Sequence, residues 1–107
     1  MGVGQGAGAA PSQVAPPDLE IERLWLDRDP RALEVAHRHY RRRLESVAYR
    51  ILRSRADAED VVQKIFIALR RVSYRGNASL WTYLYRAAVN GSVNVLRAQR
   101  RRERAEQ

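Results

Sequence analysis

The chain has 107 residues, carries 20 lysines and arginines against 12 acids, and contains no cysteine. That length supports one domain of ordinary size, and the missing cysteines exclude disulfides and thiolate metal sites. A net charge of +8 with a pI near 11.0 favours an anionic partner, nucleic acid above all.

In chain order, residues 1–17 have no charged side chain and are mostly Gly, Ala and Pro, which predicts a disordered tail. They lack the basic start and apolar run of a secretory signal. Gly6 stands where a myristoylation motif wants Ser or Thr, and Gly4, Gly6 and Ala9 follow no strand that would make them a dinucleotide fingerprint. The domain proper is expected over 18–107. No stretch approaches the roughly 20 apolar residues of a membrane span, so a soluble, cytoplasmic protein is expected, with no membrane partner.

Apolar residues recur at spacings of three and four and never alternate with a period of two, so the expected fold class is all-α: three main helices and a short N-terminal one. The first helix is predicted over about 18–28, with Ile21, Leu24 and Trp25 on one side. The second is predicted over 30–54, started by Asp29 and Pro30, with the stripe Leu33, Ala36, Tyr40, Leu44, Val47, Ala48 and Ile51. His37 and His39, two apart on this helix, point to different faces and cannot share a metal there. The third helix is predicted over 57–72, capped by Asp57 with Asp60 in the capping-box position, and buries Val61 or Val62, Ile65, Phe66, Leu69 and Val72. A polar loop follows at 73–78, where Gly76 permits a left-handed turn and Asn77 or Ser79 can cap the next helix.

The fourth helix is predicted over 79–104, with Leu80, Leu84, Ala87, Ala88, Gly91 and Val95 inward and Gly91 allowing close approach of a neighbour. Its other face carries Tyr83, Arg86, Asn90, Asn94, Arg97 and Arg101, and Trp81 and Tyr85 on the flank read as packing residues. Charge is clustered: seven arginines lie between 38 and 55, three acids between 57 and 60, and five arginines between 97 and 107. Two basic patches around an acidic one suggest two different partners. No catalytic constellation is expected, since no nucleophile, histidine and acid are brought together by periodicity, and no metal or other cofactor is implied.

Three segments in order, Asp57-Ala58-Glu59-Asp60-Val61-Val62-Gln63-Lys64-Ile65-Phe66, Tyr74-Arg75-Gly76-Asn77 and Trp81-Thr82-Tyr83-Leu84-Tyr85-Arg86-Ala87-Ala88-Val89-Asn90, resemble region 2 of the extracytoplasmic-function (ECF) sigma factors. The resemblance covers roughly 33–102. It implies a helical domain that docks on the clamp coiled coil of the largest subunit of bacterial RNA polymerase, and then recognises and opens the minus-ten promoter element on the non-template strand. It places polymerase docking on Asp60, Gln63 and Lys64, although the family usually has an acid where this chain has Lys64. It places DNA contacts on Tyr74, Arg75, Asn77, Ser79, Tyr83, Arg86, Asn90, Asn94, Arg97, Arg100 and Arg101. The loop residues would receive a flipped base, which needs a stacking surface and hydrogen-bonding groups, and the terminal arginines would meet phosphates without reading sequence.

Primary sigma factors carry two tryptophans at the melting wedge where this chain has Tyr83 and Leu84, which implies a less forceful wedge. An anti-sigma factor is a further implied partner, and a monomer is expected in isolation. The rival expectation is a sigma-like interaction module that titrates an anti-sigma factor without binding DNA. Family members normally continue into a second helix-turn-helix domain, so a chain stopping at Gln107 reads either as a cut-out domain or as a shortened factor.

Overall fold

A computed structural model describes residues 16–71, 74–76 and 78–106. Among the described residues four helices make up the fold: α1 (Pro16–Leu26), α2 (Ala32–Leu52), α3 (Arg55–Leu69) and α4 (Leu80–Ala105). No strand occurs among the described residues, and the fold class is all-α. The predicted tail lies outside the described residues over 1–15, whereas Pro16 and Pro17 begin α1, a position where proline lacks only an amide hydrogen the helix leaves unused.

Two further starts differ from the sequence expectation. α2 begins at Ala32, not Pro30, because Asp29 bonds forward two residues: its Oδ1 accepts from the Arg31 N–H at 2.8 Å. The Arg31 guanidinium grips both carboxyl oxygens at 3.1 and 3.0 Å, which holds Asp29 at a pKa of about 2. The result is a turn ahead of the helix rather than a cap on it. α3 begins at Arg55, with Ser54 as its cap, accepting from the Asp57 N–H at 3.2 Å. The expected Asp57-to-Asp60 box is therefore replaced by a single side-chain cap from Ser54, three residues earlier. Asp57, freed from capping, accepts from Gln99 Nε2 at 2.9 Å and ties the start of α3 to α4. α3 also ends earlier than expected, at Leu69, and Val72 lies outside the described residues.

α4 starts as expected, with Ser79 Oγ accepting from the Thr82 N–H at 3.0 Å. The main core gathers Ile21 of α1, Ala36, Tyr40 and Leu44 of α2, Val62, Phe66 and Leu69 of α3, and Leu80, Trp81, Leu84 and Ala88 of α4. A smaller cluster at the other end joins Ala48 and Leu52 to Ala58 and Val61. Both Val61 and Val62 are buried, because α3 is covered by α2 on one side and α4 on the other. Gly91 makes the α3–α4 approach possible: a Cβ there would stand 3.3 Å from Val61 Cγ1. Trp81 is buried and Tyr85 half-buried beside it, ring centroids 5.9 Å apart, so both pack as expected.

Candidate docking and nucleic-acid surfaces

The apolar side of α3 faces α2 and α4, and this leaves Glu59, Asp60, Gln63 and Lys64 pointing outward and exposed. Asp60 and Gln63 share a face because they are three residues apart. Lys64 Nζ lies 3.0 Å from Asp60 Oδ2, with 73% and 54% of the two side chains exposed. An ion pair this open contributes little to stability, so its groups can be redirected to a partner at small cost. Gln63 also borders a shallow groove of about 350 Å³ whose apolar floor includes Leu33, Phe66 and the half-exposed Ile67. Of the three acids in this stretch, Asp57 turns inward to Gln99. Only Glu59 and Asp60 remain to face a partner.

The loop between α3 and α4 is held by its own side chains. Tyr74 donates its hydroxyl to the Ala78 carbonyl, and its ring meets Tyr83 edge-on, with centroids 6.1 Å apart. Burial first, and the nearby Glu22 charge second, push the Tyr74 phenol up to about 12. Arg75 is exposed, and Gly76 adopts φ +79°, the left-handed conformation that glycine takes without steric cost. Asn77 lies outside the described residues. Ser79 is spent on the cap: its Oγ accepts from Thr82 N–H and donates to Thr82 Oγ1 at 2.8 Å.

From the loop onward, α4 presents Arg86, Asn90, Asn94, Arg97 and Arg101, all exposed and spaced by three or four, with Tyr83 half-buried at the loop end. Arg97, Arg100 and Arg101 also line an open groove of about 540 Å³ together with Glu103 and Arg104. The stripe thus changes character along the helix, from aromatic, through amides, to guanidinium groups. Rings stack on bases, amides pair with base edges and guanidinium groups meet phosphates.

Sequence reasoning missed the residues that hold this surface in place. Asp18 of α1, 4% exposed, accepts from Tyr40 Oη at 2.5 Å. It also lies 3.3 Å from His39 Nε2 and 3.6 Å from Arg43 Nη2. The Arg43 guanidinium sits over Trp81 at 4.6 Å and over Tyr40 at 5.1 Å, and Tyr40 stacks on Trp81 at 5.7 Å. Burial and the Asp18 contact raise the Tyr40 phenol well above its ordinary value. No spacing in the sequence signals a contact between residues so far apart. Ser54, by contrast, was detectable, since Ser54 and Asp57 have the cap-to-third-residue spacing of a helix start.

Among the described residues, no group of three or more His, Cys, Asp or Glu is placed to hold a metal ion, and no helix is long and apolar enough to cross a membrane.

The family model for sigma-70 region 2 matches residues 36–102. The chain is similar to the ECF RNA polymerase sigma-E factor of Escherichia coli strain K12, with 40% identity over 76 residues, covering 69% of this chain and 39% of that protein. It is similar to the sigma-E factor of Haemophilus influenzae at 41% identity over 76 residues, covering 69% of this chain and 40% of that protein, and to that of Salmonella typhimurium strain LT2 at 40% over 76 residues, covering 69% and 39%. The chain thus spans about two fifths of the length of these curated relatives. No solved structure gives a significant match.

Proposed function

The chain belongs to the sigma-70 region 2 family, and from that membership we propose that it is a transcription-initiation domain which docks on RNA polymerase through α3 and engages the non-template strand of the minus-ten element through the loop and α4. The observation that carries the reading is the unbroken exposed stripe of Arg86, Asn90, Asn94, Arg97 and Arg101 leading away from the Tyr74–Tyr83 pair. A module that only mimics a sigma factor to capture an anti-sigma factor has no use for such a stripe. An anti-sigma factor remains compatible as a partner of the same domain.

Within this reading the roles divide by chemistry. Asp60, Gln63 and Lys64 offer a carboxylate, an amide and an ammonium group to the polymerase clamp coiled coil. Tyr74 and Tyr83 provide ring surface for a base, Arg75 and Asn77 offer a guanidinium group and an amide for its polar edge, and Ser79 serves by fixing the start of α4. Asn90 and Asn94 address base edges, and Arg97, Arg100 and Arg101 address phosphates. A good bidentate base contact discriminates by roughly 1 to 3 kcal/mol, and a stacked base adds a similar amount.

The test takes the tightest-bound single-stranded oligonucleotide from a randomised pool, together with all its single-base variants, and compares the parent chain with Asn90→Ala. The expected result is a flattened preference at one position with little change in binding to unrelated DNA. An unchanged ranking and spread would remove Asn90 from sequence reading. A parent chain with no DNA affinity would favour the mimic.

A further inference from the structure

α1 reaches the recognition loop through two side chains one turn apart. Glu22 Oε2 accepts from the Leu80 backbone N–H at 2.9 Å, a contact bridging 58 residues of sequence. That N–H is among the four at the start of α4 that the helix cannot satisfy internally, and the Ser79 side chain takes only the one at Thr82. A carboxylate here also meets the positive end of the helix dipole. One turn on, Leu26 lies against Gly76: a Cβ at that glycine would stand 3.6 Å from Leu26 Cδ2. α1 is itself fastened by Ile21 in the core and by Asp18 on Tyr40.

The geometry points to α1 as a brace that sets the position of the base-reading loop, with Glu22 as a positioning residue for sequence selection. Glu22 is half-buried and committed to a backbone N–H, and its negative charge would repel phosphate, so it acts through the loop and not on DNA. The inference rests on the reading that the loop selects bases.

The experiment uses the whole 107-residue chain with Glu22→Gln and Glu22→Ala, and Tyr74→Ala as a control on the loop. Amide hydrogen exchange at Leu80 is followed by NMR, alongside affinities for the selected oligonucleotide and its single-base variants. A helix cap contributes roughly a factor of five to the local equilibrium, so Leu80 exchange is expected to quicken about that much in Glu22→Ala. The spread among oligonucleotides should narrow with it. Glu22→Gln, which keeps an acceptor oxygen and helical content, should fall between Glu22→Ala and the parent.

Unchanged Leu80 exchange in Glu22→Ala overturns the brace. Faster exchange with an unaltered ranking, while Tyr74→Ala does change that ranking, overturns its role in selection. If Tyr74→Ala leaves the ranking untouched as well, the loop does not read sequence and the inference falls with the reading beneath it; a Leu80 response that persists identifies this as the failure of the reading and not of the brace.

Discussion

The outer face of α3 and the start of α4 are built on opposite plans. Asp60, Gln63 and Lys64 stand exposed on one helix, and the ion pair among them is formed within that helix. The start of α4 depends on two other helices: Glu22 of α1 bonds to Leu80, Tyr40 of α2 stacks on Trp81, and Arg43 of α2 covers the same indole. A surface that needs only the right residues on a regular helix can change its side chains one at a time. A surface whose backbone is set by distant residues cannot, because each change there is felt through packing.

The largest effect should come from the centre of the second plan. Trp81 is 7% exposed and packs against Tyr40, Arg43 and Tyr85. Trp81→Ala should lower the free energy of unfolding in urea by about 3 to 5 kcal/mol, the usual cost of emptying a large aromatic site. A loss below about 1 kcal/mol would mean that the indole does not organise this end of the bundle.

Next in size is the Asp18 contact. Asp18→Ala leaves the Tyr40 hydroxyl without its carboxyl acceptor in a buried place, which costs about 1 to 3 kcal/mol. Tyr40→Phe in the same background should recover part of that loss, since removing both partners leaves no stranded hydroxyl. The urea midpoints of the two single variants and the double variant check this. A strictly additive double variant would show that the two groups do not form one unit.

The same contrast explains what could be read from the sequence. The four helices, the inward stripe of α2 and the polar stripe of α4 were legible because each is written at spacings of three and four within one element. The start of α3 was misplaced because Asp57 and Asp60 imitate the cap spacing that Ser54 and Asp57 realise. The start of α2 was misplaced because Arg31 diverts the Asp29 carboxyl from capping. Candidate docking and DNA residues were legible by resemblance and by face. Glu22 and Asp18 were not: their partners, Leu80 and Tyr40, lie 58 and 22 residues away. On their own helix they look like ordinary solvated acids. Local patterns report what an element presents, and long-range contacts decide how rigidly it is presented.

The smallest effect on stability is expected where the first plan holds. Asp60→Ala with Gln63→Ala should change unfolding free energy by no more than about 0.5 kcal/mol, as for exposed side chains outside any network, while weakening affinity for the isolated polymerase clamp coiled coil. Among the described residues, the ion pair surrendered is the open Asp60–Lys64 contact, which contributes between nothing and about 1 kcal/mol. Combining this pair with Glu22→Gln sharpens the comparison. Among the described residues the bonded partners of the two sites differ, Leu80 for Glu22 and Lys64 for Asp60, so their stability effects should add to within about 0.5 kcal/mol, and Glu22→Gln should leave clamp affinity at the parent value. A coupling larger than that, or a clamp affinity that falls with Glu22→Gln, would show that the brace reaches α3 as well, and the proposed division of the domain into an independent docking face and a wired recognition end would have to be given up.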